Sequence, residues 1–208
     1  MRAAAITCGP AYAPIDSVRR ITNFATGEIG TLLAEELSAR GWEVFCLRGE
    51  GCTAAPPRAG KVLGFSTNES LAAALGTLPA EMAAVFHAAA LCDFEVAGIS
   101  GGDGREKISS RGGEISLRLR PAEKLLPKLR GFFPDAKILG WKFECDGGRV
   151  GALAAARSQI AESGTNGCVV NGPAFGNGFG ILLPDGGLRE FADKQSLAKA
   201  LAAMVVDS

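Results

Sequence analysis

Short apolar runs alternate with segments of helical period along most of this chain, and each change of period marks an element. Arg2 to Thr7 reads as a short buried strand ending at Gly9-Pro10, and the stretch AYAPIDSVRRITNFAT after it reads as a loop. Ile29, Leu32, Leu33 and Leu37 recur at helical spacing up to Arg40, with Gly41 as the stop signal. Trp42 to Leu47 predicts a second buried strand, Lys61 to Phe65 a third, Asn68 to Leu78 a helix, and Ala83 to Ala88 another buried strand. Gly98 to Gly113 is polar and glycine-rich, the composition of an exposed, mobile lid. Glu114 to Arg120 alternates as a half-exposed strand, and Pro121 suits the first turn of a helix running towards Arg130. Lys137 to Phe143 predicts a strand, Val150 to Glu162 a helix, and Cys168 to Asn171 a strand. Gly180 to Leu183 and Leu188 to Phe191 flank PDGG, a hairpin signal. Asp193 caps a last helix with Leu197, Leu201, Met204 and Val205 on one face.

Strands alternating with helices in this way predict an α/β fold: a Rossmann-like, mostly parallel sheet with helices on both faces and a C-terminal hairpin. No Pro- or Ser-rich linker divides residues 1–208, so one domain is expected.

Composition narrows the chemistry. Lys plus Arg and Asp plus Glu are equal at 22 each, so there is no global field to attract nucleic acid or an anionic membrane, and neither partner is expected. No apolar run approaches the length of a membrane span. One His excludes a multi-histidine metal site and leaves little for histidine-based triads. The six cysteines are scattered without a CxxC pair and no leader precedes them, which predicts reduced thiols and a cytoplasmic location.

Four places carry candidate chemistry, each with a plainer reading beside it. Gly9 and the helix start Thr26-Gly27-Glu28-Ile29-Gly30 offer free N–H groups and close approach to a phosphate, or a packing device between helix and strand. Arg19, Arg20 and Asn23 precede that helix; arginine pairs with phosphate or carboxylate and an Asn amide stabilises an oxyanion, or the segment is a solvated loop with one salt bridge. HAAALCDF ends a buried strand in Ala89, Ala90 and Asp93, where a ribose could lie against the backbone and Asp93 accept its hydrogen bonds or help hold a metal. His87 reads as a core histidine. Lys107 sits in the glycine-flanked loop, placed to close on a polyphosphate or simply solvated.

PIDSVRRITNFATGEIG, AAALCDF, REKI, ILGWKFE and VVN, in that order, resemble phosphopantothenoylcysteine synthetase, also called phosphopantothenate–cysteine ligase, over nearly the whole chain. The first motif is the most specific. The resemblance implies a dimeric enzyme of coenzyme A synthesis that activates the carboxylate of 4′-phosphopantothenate with CTP, or ATP, and Mg²⁺. Cysteine then attacks the acyl-nucleotidylate, and a phosphopantothenoylcysteine decarboxylase consumes the product. By position it implies that Asn23 stabilises the acyl-nucleotidylate, that Arg19 holds phosphopantothenate near a subunit interface, and that Lys107 closes on the triphosphate. Gly9, Gly27, Ala89, Ala90, Asp93, Pro121, Ala122, Glu123, Lys124 and Trp141 would line the nucleotide site; no metal ligand is assigned.

The chain departs from the family pattern in its first turn, Gly9-Pro10-Ala11 with Ala13, and at Glu28, where a basic residue is common. Ser109 and Ser110 replace two lid lysines, and Gln159 and Ser163 replace two helix lysines, with Arg111 and Arg157 as possible substitutes. These losses favour an alternative: a paralogue that binds a nucleotide or phosphopantetheine-like ligand with altered or no ligase activity. An NAD(P)-dependent short-chain reductase ranks below both, because GxGxxG is missing; Arg48 alone would suit a 2′-phosphate.

Overall fold

A computed structural model describes residues 2–100 and 106–206. The first buried strand, β1 (Ala3–Pro10), leads into a two-stranded hairpin, β2 (Tyr12–Pro14) and β3 (Arg20–Thr22), then α1 (Glu28–Ala39) and β4 (Glu43–Gly49). β5 (Lys61–Phe65), α2 (Asn68–Gly76) and β6 (Ala84–Ala90) follow. A second hairpin, β7 (Phe94–Ile99) and β8 (Leu117–Pro121), stands apart from the main sheet. The chain continues through a 3₁₀ turn (Leu126–Lys128), α3 (Leu129–Phe132), β9 (Lys137–Phe143), α4 (Gly148–Ser163), β10 (Gly167–Asn171), β11 (Phe179–Leu182), β12 (Leu188–Phe191) and α5 (Lys194–Val206).

Eight strands form one sheet in the order β12-β11-β10-β9-β6-β1-β4-β5, parallel except where β11 runs against its two neighbours. This is the α/β, Rossmann-like sheet the pattern predicts. The alternation along each strand divides the core into two layers. Ile6, Val44, Cys46, Phe86, Leu139 and Val169 meet Leu33 and Leu37 of α1 and Leu197 and Leu201 of α5. Ala5, Leu47, Val85 and Ile138 meet Leu71 and Leu75 of α2 and Leu129 of α3 on the opposite face. α4 lies over Cys168, Val170 and Leu182, which alternate with Val169 and Ile181 and so share the α2 face. Asp193 caps α5 through its Oδ1, which accepts from Ser196 N at 2.7 Å.

Three expectations change. The loop after β1 folds back as β2–β3, a hairpin of three-residue strands too short to show a period. Gly98 and Ile99, expected to open a loop over residues 98–113, belong to β7 and pair with Arg118 and Leu117; residues 101–105 of that stretch lie outside the described residues. Pro121 does not begin a helix but closes β8 opposite Phe94. A 3₁₀ turn and the four residues of α3 follow, ended by Phe133 in a non-helical conformation before Pro134.

Candidate active site

The chain leaves β1 towards β4 over the α1 face and returns from β5 to β6 over the α2 face. Strand order therefore reverses between β1 and β6, and their carboxyl ends open a crevice at the switch point. The floor is Gly9 paired with Ala89 and Pro10 paired with Ala90. Beneath it, Thr7 Oγ1 and His87 Nδ1 share a buried hydrogen bond of 2.7 Å, and Ala89 N donates to the same hydroxyl at 3.3 Å. Burial pushes His87 down to about 4, so it is a neutral core residue.

The β2–β3 hairpin stands over this floor, and Tyr12 lines a cleft on each side of it. One cleft, of about 400 Å³, lies between the hairpin, the N-terminus of α2 and the β7–β8 arm, and includes Asn68, Cys92, Ala122, Glu123 and Lys124. The other, of about 360 Å³, is walled by Pro10, Thr22, Asn23, Thr26, Gly51 and Thr53. Two asparagines hold the backbone of the segment joining β6 to β7. Asn23 Nδ2 donates to Leu91 O at 2.8 Å. Asn68 donates to Cys92 O at 2.9 Å and accepts from Cys92 N at 3.1 Å. With one N–H spent on Leu91, Asn23 keeps a second N–H and its carbonyl for a ligand. Asp93 pairs with Lys124, and its carbonyl accepts from Ala122 N at 2.9 Å.

Arg19 and the loop residue Ile108, distant in sequence, meet around one carboxylate. Asp16 Oδ1 accepts from Val18 N and Arg19 N at 2.9 and 2.7 Å, an Asx-type turn that shapes the tip of the hairpin. Its Oδ2 pairs with Arg19 Nη1 at 2.5 Å and accepts from Ile108 N at 3.1 Å, while both Arg19 terminal nitrogens donate to Ile108 O at 3.2 Å. Burial opposes ionisation of Asp16, yet the amides of Val18, Ile108 and Arg19 and the Arg19 charge together hold its carboxyl below the usual value. Lys107, beside this anchored point, is exposed and meets no acceptor among the described residues. Ser109 caps the next turn, accepting from Arg111 N at 3.2 Å.

The other candidates separate. A methyl group on Gly9 or Gly27, both with positive φ, would overlap the Cys52 sulfur, so a thiol fills the notch between them. Trp141 packs with the α1–α5 layer, whereas Ala122 to Lys124 line the cleft on the α2 side; the expected nucleotide set is thus split across the sheet. Gln159 Nε2 donates to Cys168 at 3.2 Å, and Ser163 is buried in the last turn of α4. Gln159 lies against Gly140 and Cys168 in the body of the sheet, and Ser163 is the last residue of α4. Glu28 pairs with Lys194, which offsets its charge at the α1 start. Arg48 is buried and donates to Thr31 Oγ1 and Ala54 O at 2.7 and 2.6 Å, a structural tie rather than a waiting phosphate ligand. Asp16 and Asn68 were not singled out by sequence. The Asp-x-x-Arg turn spacing was a usable signal for the first; nothing local marked the second.

Among the described residues no group of three or more His, Cys, Asp or Glu side chains is placed to hold a metal ion. No helix among them is long and apolar enough to cross a membrane.

Fold and crevice together define an α/β protein of the Rossmann-like class with a switch-point site. Residues 1–206 match the DNA/pantothenate metabolism flavoprotein C-terminal domain, and the chain belongs to that family. It is 30% identical over 196 residues to the coenzyme A biosynthesis bifunctional protein CoaBC of Thermococcus kodakarensis, covering 91% of this chain and 45% of that protein. To the CoaBC of Methanocaldococcus jannaschii it is 33% identical over 133 residues, 62% of this chain and 30% of that one. The chain thus spans less than half the length of these relatives. Among solved structures, the DNA/pantothenate metabolism flavoprotein from Streptococcus pneumoniae superposes with a TM-score of 0.87 at 18% identity, over 100% of this chain and 99% of that one. A Cab2 mutant in complex with phosphopantothenate-cysteine gives 0.78 at 18%, over 99% and 85%. At these identities the structural likeness establishes the fold.

Proposed function

We propose that this chain is a phosphopantothenate–cysteine ligase. A carboxylate oxygen of 4′-phosphopantothenate attacks the α-phosphorus of CTP, or ATP, and pyrophosphate leaves. The amino group of cysteine then attacks the acyl carbon, loses its proton, and expels the nucleoside monophosphate as the amide forms. The reading is supported by the β2–β3 hairpin, which leads directly into Asn23, anchored on Leu91 with an N–H to spare, and whose tip holds Ile108 next to Lys107.

In this reading Asn23 donates to the oxyanion formed as the amide closes, Lys107 neutralises charge on the triphosphate, and Arg19 positions both the lid and the anionic substrate. The nucleotide is assigned to the cleft of Ala122, Glu123 and Lys124, with Ala89, Ala90 and Asp93 beside it. The exposed carboxylate of Asp93 and the lack of a preformed cage among the described residues suit Mg²⁺ arriving on the triphosphate, where it would neutralise charge on the leaving pyrophosphate. Val18, Ile21 and Phe24, exposed along the hairpin, support self-association as a homodimer near Arg19. A phosphopantothenoylcysteine decarboxylase is the proposed consumer of the product, and six free cysteines suit a reducing cytoplasm.

Purified protein given Mg²⁺, CTP, phosphopantothenate and cysteine should release pyrophosphate, and Asn23→Ala should lower the coupled product by about 10²-fold or more. No pyrophosphate with CTP or ATP, together with no melting shift with either nucleotide, defeats the reading. Serines at 109 and 110 favour a second one, a paralogue that binds its ligand without ligation; a nucleotide-dependent melting shift with no pyrophosphate identifies it.

A further inference from the structure

Three of the six cysteines form a row beside the crevice, which the ligase chemistry does not use. Cys46 on β4 and Cys8 on β1 point to the α1 face with sulfurs 4.0 Å apart. Cys52, in the turn after β4, donates its thiol to Cys8 O at 3.7 Å and packs against Gly9, the residue after Cys8. Cys8 and Cys46 are buried; Cys52 is the member reached by solvent.

We propose that Cys52 and Cys8 are a peroxide-sensitive pair, Cys52 the attacked thiol and Cys8 the resolving one. The Cys52 sulfur attacks a peroxide oxygen, the O–O bond breaks, and hydroxide leaves with the thiol proton as water, giving a sulfenic acid. The Cys8 sulfur then attacks Cys52, the S–O bond breaks, and hydroxide leaves with the Cys8 proton as a second water. Two thiols have given two electrons to hydrogen peroxide, and an S–S bond has formed.

Backbone geometry selects this pair. Cys46 is paired in register with Ile6, two residues before Cys8 on the neighbouring strand. Strand spacing and rise put the Cys8 and Cys46 Cα atoms roughly 8 Å apart, beyond the span of a disulfide unless the sheet moves. Cys52 sits on a turn held by its N–H to Gly49 O at 3.0 Å, and a turn adjusts where a central sheet cannot. The hydrogen bond to Cys46, with burial, pushes Cys8 up to about 12, and the Cys8 hydrogen bond, with burial, pushes Cys52 up. Cys46 is drawn down by the Cys8 hydrogen bond and, more weakly, by Arg48. Cys52 is the attacked thiol because it alone of the three is open to solvent, and attack follows loss of its proton. The same turn gives Gly51 and Thr53 to the cleft of Asn23, so the bond would fix one wall of that cleft.

The test needs neither nucleotide nor substrate, so its outcome is separate from that of the ligase reading. After peroxide treatment and removal of the oxidant, thiols titrated in denaturant should fall from six to four, return to six with dithiothreitol, and map to a Cys8–Cys52 cross-linked peptide. Cys52→Ser should hold its remaining thiols through the same treatment, and Cys145→Ser, at an exposed and separate cysteine, should still form the cross-link. A cross-link containing Cys46, irreversible oxidation of Cys52 with Cys8 still alkylatable, or an unchanged count of six overturns the proposal.

Discussion

Two buried titratable residues set how this protein responds to acid. An unfolded histidine titrates near 6.5, while His87 folds with a value of about 4. As pH falls from 6.5 to 4 the unfolded chain takes up a proton that the folded chain refuses, and stability drops by roughly 3 kcal/mol over that window. Denaturant melts at pH 7, 5.5 and 4 should follow that slope, and His87→Gln should flatten it. Asp16 acts lower. Its carboxyl folds with a depressed value, so its stabilisation is complete above the ordinary carboxylate range and is lost as pH falls through its folded value. Asp16→Asn should therefore lower stability at pH 7, lose the acid limb below about pH 4, and expose the Ile108 amide to hydrogen exchange. If Asn23 supplies the proposed oxyanion contact, Asn23→Ala should lower pyrophosphate-coupled turnover by about 10²-fold or more with little change in melting temperature.

The helices carry the next layer of consequences. Gly30 lets α1 lie directly on β1, because a methyl group there would meet the Cys8 side chain. Gly30→Ala should cost about 1–3 kcal/mol and several degrees of melting temperature, measured by thermal denaturation. The loop after β7 and α4 should respond oppositely to added lysines. If the loop closes on CTP as proposed, Ser110→Lys should tighten CTP binding in calorimetry by about fivefold, whereas Gln159→Lys forces a charge against Cys168 and Gly140 and should only destabilise. At this scale the sequence was legible wherever burial imposed a period. The strands of the main sheet and helices α1, α2, α4 and α5 were foreseen to within a few residues. What was not legible depends on contacts between distant segments. The β2–β3 hairpin is held by the Asp16 turn, β7 by pairing with a strand that begins eighteen residues beyond its end, and the direction of Gln159 by the face on which α4 lands. Asn68 is hidden for the same reason: its partner is the backbone of Cys92, across the cleft.

For the whole molecule, strand order also dictates how the protein can assemble itself. β1 pairs with β4 some forty residues on, Ala3 with Glu43, but its other neighbour is β6, with Ala4 against Ala84. β6 in turn waits for β9, with Val85 against Ile138. Each closure towards the centre spans a long loop, whereas β10, β11 and β12 pair as simple antiparallel neighbours. A topology with so many distant pairings folds slowly for its size, and its central strands spend the longest time with a bare side. Refolding by stopped-flow should accordingly show late protection of the β6–β9 seam and early protection of β10–β12. During synthesis the chain must carry β1, β4 and β5 through more than seventy residues of growth before β9 exists to cover β6. The aggregation-sensitive interval of this protein is therefore that half-made sheet, whose open side is the flank of β6.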